Sequence, residues 1–156
     1  MAGYKMKKTT LCYIEKDNQY LMLYRNKKVN DPNEGKWIGI GGKLEENESI
    51  EECLLREVKE EVGITLTNYT YRGVVHFISD TWENEEMYLY TASEYDGDIA
   101  KECPEGTLRW ISKEEIYSLP LWEGDKIFLD ALVKNNCIID LTLHYEGEKL
   151  VSHKFQ

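Results

Sequence analysis

At 156 residues, 42% hydrophobic and 31% charged, the chain suits one domain over 1–156, long enough to bury most of the surface that its unfolded form exposes. The 29 Asp+Glu against 19 Lys+Arg leave a formal net charge of −10, which argues against a nucleic-acid polymer as partner, because such binding rests on cationic contacts to phosphate. No apolar run approaches the roughly 20 residues that cross a bilayer, and the start lacks a signal-peptide pattern, so a cytoplasmic protein without membrane contact is expected. Cys12, Cys53, Cys103 and Cys137 are scattered with no C-x-x-C, which fits reduced thiols rather than a zinc site.

In chain order, "KKTTLCYIEKDNQYLMLYRN" predicts two strands around a turn at Asp17-Asn18. "KKVNDPNEG" is a polar loop, "KWIGIGGK" a short strand interrupted by glycines, and 49–62 a helix. "TLTNYTYRGVVHFISD" and "EEMYLYTASEY" are strand-like, "DGDIAKECPEG" a loop and "TLRWIS" a strand. "SKEEIYSL" opens with a capping-box pattern, Ser112 and Glu115. "DKIFLDALVKN" carries Ile127, Phe128, Ala131 and Leu132 at helical spacing, and the tail is a hairpin folded at Glu146-Gly147. Strands before, between and after few helices imply an α+β mixed sheet with helices on its faces.

The stretch "GGKLEENESIEECLLREVKEEVGI" concentrates the acids. Ser49 and Glu52 form a capping box that starts a helix, and Gly63 supplies its stop. Ile50, Leu54, Val58 and Val62 make the apolar stripe, while Cys53, Glu57, Glu60 and Glu61 fall on a neighbouring face. Three carboxylates thus converge in the last turn, where the helix dipole disfavours them. A solvated acidic face is the plain alternative. A hard divalent cation accounts better for the crowding, since Mg²⁺ takes oxygen ligands and turns repulsion into chelation.

These residues resemble a known family. G-x5-E-x7-R-E-U-x-E-E-x-G-U, with U apolar, is the Nudix box, filled here by Gly42, Glu48, Arg56, Glu57, Val58, Glu60, Glu61, Gly63 and Ile64. The resemblance implies the Nudix fold, an α/β/α sandwich around a mixed β-sheet, and hydrolysis of a nucleoside diphosphate linked to another group. It further implies Mg²⁺, with Mn²⁺ as a substitute, held by Glu57, Glu60 and Glu61 and by the Gly41 carbonyl. Arg56 resembles the family arginine that orients a catalytic glutamate, and Glu48 supports the loop–helix junction with Gly42 and Gly63 as structural glycines. Either Glu57 or Glu105 is the general base, and Glu105 resembles a metal-binding or base glutamate that precedes a strand bearing a tryptophan, here Trp110; Glu102 is its rival. Lys43 either touches phosphate or is a solvated surface lysine.

"GKWIGIGGKLEENES" and "LPLWEGDKIFLDAL" resemble the MutT-like branch, whose members cleave 8-oxo-dGTP to the monophosphate and pyrophosphate. On that resemblance Trp122 stacks on a purine and Asp125 hydrogen-bonds its edge; packing beside Leu119 and Leu121, and a helix-start role, are the structural alternatives. Gly124 stands where some relatives carry a second acid, and Ile38 where certain relatives carry a base-reading Asn. Trp37 is read as packing, and His76, His144 and His153 receive no chemistry. The expected partner is a small nucleotide, handled by a monomer or homodimer. ADP-ribose or a dinucleoside polyphosphate is the alternative substrate, and a nucleotide-sensing module without catalysis the alternative class.

Overall fold

The computed structural model describes residues 6–27, 31–134 and 137–156. Its elements are β1 (Lys7–Lys16), β2 (Gln19–Arg25), β3 (Trp37–Ile38), β4 (Ile40–Lys43), α1 (Ile50–Val62), β5 (Thr65–Ser79) and β6 (Glu85–Asp96). There follow β7 (Glu102–Cys103), β8 (Gly106–Ser112), a 3₁₀ turn at Ile116–Ser118, α2 (Glu123–Lys134), β9 (Ile139–Glu146) and β10 (Lys149–Phe155). The strands order as β10-β9-β5-β6-β1-β2-β8-β7, with β3 paired to β2 and β4 to β1. β1 runs parallel to β6 and β5 parallel to β9, and the other pairings are antiparallel, so the sheet is mixed.

The sandwich follows from residue alternation in β1 and β2. Leu11, Tyr13, Tyr20 and Met22 point to a core shared with Phe128, Leu129 and Leu132 of α2. Their alternates Cys12, Ile14, Leu21 and Leu23 join Leu54, Val58 and Val62 of α1 in a second core. A strand covered on both faces reads as an unbroken apolar run, which is why 9–14 is buried throughout. One helix therefore lies on each side of the sheet, as the α/β/α expectation required.

Asp17 and Asn18 both take left-handed φ, 51° and 61°, the conformation of a tight two-residue hairpin turn. Ser49 Oγ accepts from the Glu52 backbone N–H at 3.0 Å while the Ser49 N–H donates to Glu52 Oε1 at 2.9 Å, so the capping box is complete. Gly63, at φ 85°, ends α1.

Three local readings change. The loop before β8 contains β7, paired through Glu102↔Thr107 and Cys103↔Gly106, a strand too short to show alternation. Only half of the second capping box forms: Ser112 Oγ accepts from the Glu115 N–H at 3.2 Å, and the segment makes a single 3₁₀ turn. The last hairpin turns at Gly147-Glu148, one residue later than expected, with the left-handed residue at Gly147.

The segment after Trp37 sets up the site. β3 pairs with β2 while β4 pairs with β1, so the chain crosses at Gly39 between two strands that diverge. A cavity opens beside this crossing. Cys12, Cys53 and Cys103 are buried thiols outside any disulfide, and no described helix is long and apolar enough to cross a membrane.

Candidate active site

Arg56 is the hub of the acidic helix. Its Nε and Nη2 donate to the two oxygens of Glu48 at 2.6 and 2.9 Å, a bidentate pair that holds the Glu48 carboxyl down to about 2. Its Nη1 donates to Glu57 Oε1 at 2.7 Å and to Glu60 Oε2 at 3.2 Å. Its Nη2 also donates to the Lys43 carbonyl at 3.1 Å, tying α1 to the end of β4. Glu48 in turn accepts from the Glu45 N–H at 3.0 Å, which closes the turn that feeds the helix. One guanidinium thus fixes the junction and the position of Glu57 together.

Glu61 is the buried member of the cluster. It is only 5% exposed, and its Oε2 has no hydrogen-bond partner among the described residues. Burial, followed by the charges of Glu57 and Glu105 and opposed by Arg25, raises its carboxyl to about 9. A carboxyl desolvated beside two others is a poor anion and a good ligand. Glu57 also crowds Gly42, where an added Cβ would lie 2.5 Å from the Glu57 carboxyl, so the box glycine makes room for that side chain. The donor set fits a divalent cation. Among the described residues, however, no three His, Cys, Asp or Glu side chains already stand as a closed coordination group.

The predicted ligands do not all sit alike. Glu57 and Glu105 both act on Glu61. Glu60 has a side chain 59% exposed and pairs with Arg56. Glu105 lies in the two-residue turn between β7 and β8, whereas its rival Glu102 is exposed and pairs with Lys27 at 3.2 Å. Gly41 faces Leu11 across the β4–β1 pairing, with no space for a side chain against the Thr10 carbonyl.

A cavity of about 340 Å³ runs from this end of β4 towards the start of α2. Gly41, Gly42, Lys43 and Arg25 line one end, and Trp122, Asp125 and Tyr145 the other, with Ile38 in its wall. Trp122 Nε1 donates to Asn33 Oδ1 at 2.8 Å, the Lys36 ammonium sits 4.6 Å above its ring, and Tyr145 meets it edge-on at 5.2 Å. Asp125 is 4% exposed; burial, then the Glu85 charge, raises its carboxyl to about 8 against the pull of Lys36. At Gly124 the backbone N–H donates to Tyr145 Oη at 2.7 Å, and a Cβ would press within 2.5 Å of Leu143.

The sequence matches the family described as NUDIX domain over residues 5–132. The chain belongs to the Nudix family. It is 30% identical over 154 residues to YvcI, an uncharacterized Nudix hydrolase of Bacillus subtilis, covering 96% of this chain and 94% of the relative. A crystal structure of a MutT protein from Bacillus halodurans superposes with a TM-score of 0.86 at 30% identity, over 97% of this chain and 98% of that one. An oxidized purine nucleoside triphosphate hydrolase of Danio rerio is 28% identical over 122 residues, 77% of each chain.

Within this Nudix hydrolase, four cavity groups escaped the sequence reading. Arg25 and Asp31 form an ion pair at 2.7 Å whose side chains are largely shielded from solvent. Asp31 Oδ1 also accepts from the Asn33 N–H at 3.1 Å, an Asx turn that "NDPN" could have signalled. Asn33 and Glu85 reach the cavity from a loop and from a strand start with no motif of their own.

Proposed function

We propose that this Nudix hydrolase is a divalent-metal-dependent nucleoside triphosphate pyrophosphohydrolase that favours oxidised purines, releasing a monophosphate and pyrophosphate. One observation carries the reading: a single cavity joins the Gly41–Lys43 end of the carboxylate cluster to a half-buried tryptophan and a buried carboxyl. That is the span of a polyphosphate at one end and a base at the other, in a volume suited to a small ligand.

Glu57, Glu61 and Glu105, with Glu60 and the Gly41 carbonyl, are the groups that would hold Mg²⁺ or Mn²⁺. When bound, the cation neutralises phosphate oxygens and lowers the pKa of a water molecule. The protein's own residues do the rest. Arg56 holds Glu57 in a fixed orientation, and Glu57 or Glu105 takes the proton of the attacking water, a contribution of roughly 10²–10⁴-fold. Lys43 and Arg25 face the anionic chain. Trp122 offers a stacking surface and Asp125, protonated below about pH 8, offers a hydrogen bond to the base edge. Such an enzyme clears damaged nucleotides from the cytoplasmic pool.

The test is a nucleotide panel with purified protein and Mg²⁺. A higher kcat/KM for 8-oxo-dGTP than for dGTP, CTP or ADP-ribose, with monophosphate and pyrophosphate as products, is expected. Turnover of ADP-ribose alone would overturn the proposal, and no turnover at all would point to a nucleotide-sensing module.

A further inference from the structure

Period-two alternation along β6 places Glu85 on the same face as Met87 and Leu89, which are buried in the core on the α2 side. An acid on that face is costly unless something repays its desolvation. Glu85 is held in place by local partners: its Oε2 accepts from the Thr9 hydroxyl at 2.5 Å, and Lys7 Nζ lies 3.5 Å from Oε1. It lines the same cavity as Asp125, among Phe77, Met87 and Trp122. Two carboxyl groups from different elements therefore line one cavity.

A second acid cannot come from α2 itself without disturbance. The position one residue before Asp125 is Gly124, packed against Leu143 and Tyr145, and any side chain there would push both aside. The opposite strand supplies the missing group instead. We propose that Glu85 is the second base-reading carboxyl of this site, and that with Asp125 it selects a 2-amino-6-oxopurine edge. The chemistry of that edge fits the pair. N1–H and the 2-amino group are adjacent donors for a carboxylate, and the 6-oxo group is an acceptor for a carboxyl O–H. Adenine reverses the order at positions 1 and 6 and has only C–H at position 2, so Glu85 would face no donor.

This assignment rests on the nucleotide reading above, and binding without turnover separates the two. Wild-type protein and the Glu85→Gln variant are titrated in EDTA with dGMP, 8-oxo-dGMP, dIMP and dAMP, following tryptophan fluorescence. The wild type is expected to bind both guanine nucleotides more tightly than dAMP. Glu85→Gln, close in shape and still able to accept from Thr9, should weaken dGMP and 8-oxo-dGMP alike by roughly 10–100-fold, dIMP less, and dAMP not at all. A Lys7→Met variant, which removes the neighbouring cation and leaves the carboxyl, should keep the guanine preference.

Equal loss for all four ligands, or no loss, overturns the role of Glu85. Loss for 8-oxo-dGMP alone overturns the edge assignment, because Glu85 would then read the oxidised side of the ring. Loss of preference in Lys7→Met reduces Glu85 to an ion-pair partner and overturns it too. Absence of any nucleoside triphosphate hydrolysis by the wild type sinks the underlying reading, whereas hydrolysis with an unchanged preference in Glu85→Gln sinks this inference alone.

Discussion

Two faces of one sheet each bury a carboxyl group, and the two have different neighbours. On the α1 side Glu61 lies beside Glu57 and Glu105, and its carboxyl is raised to about 9. On the α2 side Asp125 lines a cavity with Trp122 and Tyr145, and its carboxyl is raised to about 8. Both prefer a proton to a bare charge. Glu61, however, has like charges for neighbours, an arrangement that a cation relieves. Asp125 has aromatic walls and one other carboxyl, and a protonated acid there is a hydrogen-bond donor. On the proposed function, similar upward shifts would mark a metal ligand in one place and a base reader in the other, and the neighbours would decide which.

The most damaging way to break this contrast is to remove the α1 side. Glu57→Gln should lower kcat by roughly 10²–10⁴-fold while melting temperature stays within a few degrees, read by steady-state kinetics and calorimetry. Loss of folding instead would make Glu57 a structural partner of Arg56. Next is the α2 side: Trp122→Ala should lower kcat/KM for purine triphosphates by roughly 10–100-fold, mostly through KM, as expected for one lost stacking surface. An effect confined to kcat would contradict a binding role.

The third test uses pH. The folded-state carboxyl of Asp125 lies above its ordinary value of 3.8, so the native protein binds the extra proton between about pH 4 and pH 8. Stability from this group is full below pH 4 and is lost as pH rises to about 8. Asp125→Asn removes that loss, so its unfolding free energy should gain on the wild type progressively from pH 4 to 8, by an amount on the order of a few kcal/mol. A difference that does not vary with pH would show Asp125 to be hydrated and ionised. The smallest effect belongs to Glu102→Gln, which breaks only an exposed pair with Lys27 and should change kcat and stability by no more than about 0.5 kcal/mol; Glu105→Gln, by contrast, should reduce kcat.

The two faces also differed in how readily the sequence disclosed them. The α1 face is local: its capping box, apolar stripe, acids and closing glycine fall within Gly42–Ile64, where helical spacing alone puts them together. A mixed sheet with helices on its faces followed from the order of strands and helices, and its α/β/α form from the resemblance. The α2 face is assembled from Asn33, Glu85, Trp122 and Tyr145, four segments distant in sequence that strand pairing and the Trp122–Asn33 hydrogen bond bring together. Trp122 and Asp125 were visible through a resemblance, but Glu85 was not, because an acid at a strand start reads as a solvated end until the register sets it beside Thr9. Likewise the dipeptide Glu102–Cys103 is too short for period two to emerge, and only its pairing with β8 marks it as a strand.

The central claim is that the acidic end of α1 holds a divalent cation. Mn²⁺ titration followed by electron paramagnetic resonance, on wild type and on Glu61→Gln with a non-hydrolysable nucleotide present, tests it most directly. Saturable binding by the wild type, weakened at least roughly tenfold in the variant, is the predicted result. Equal binding by both proteins, or none by either, would contradict it.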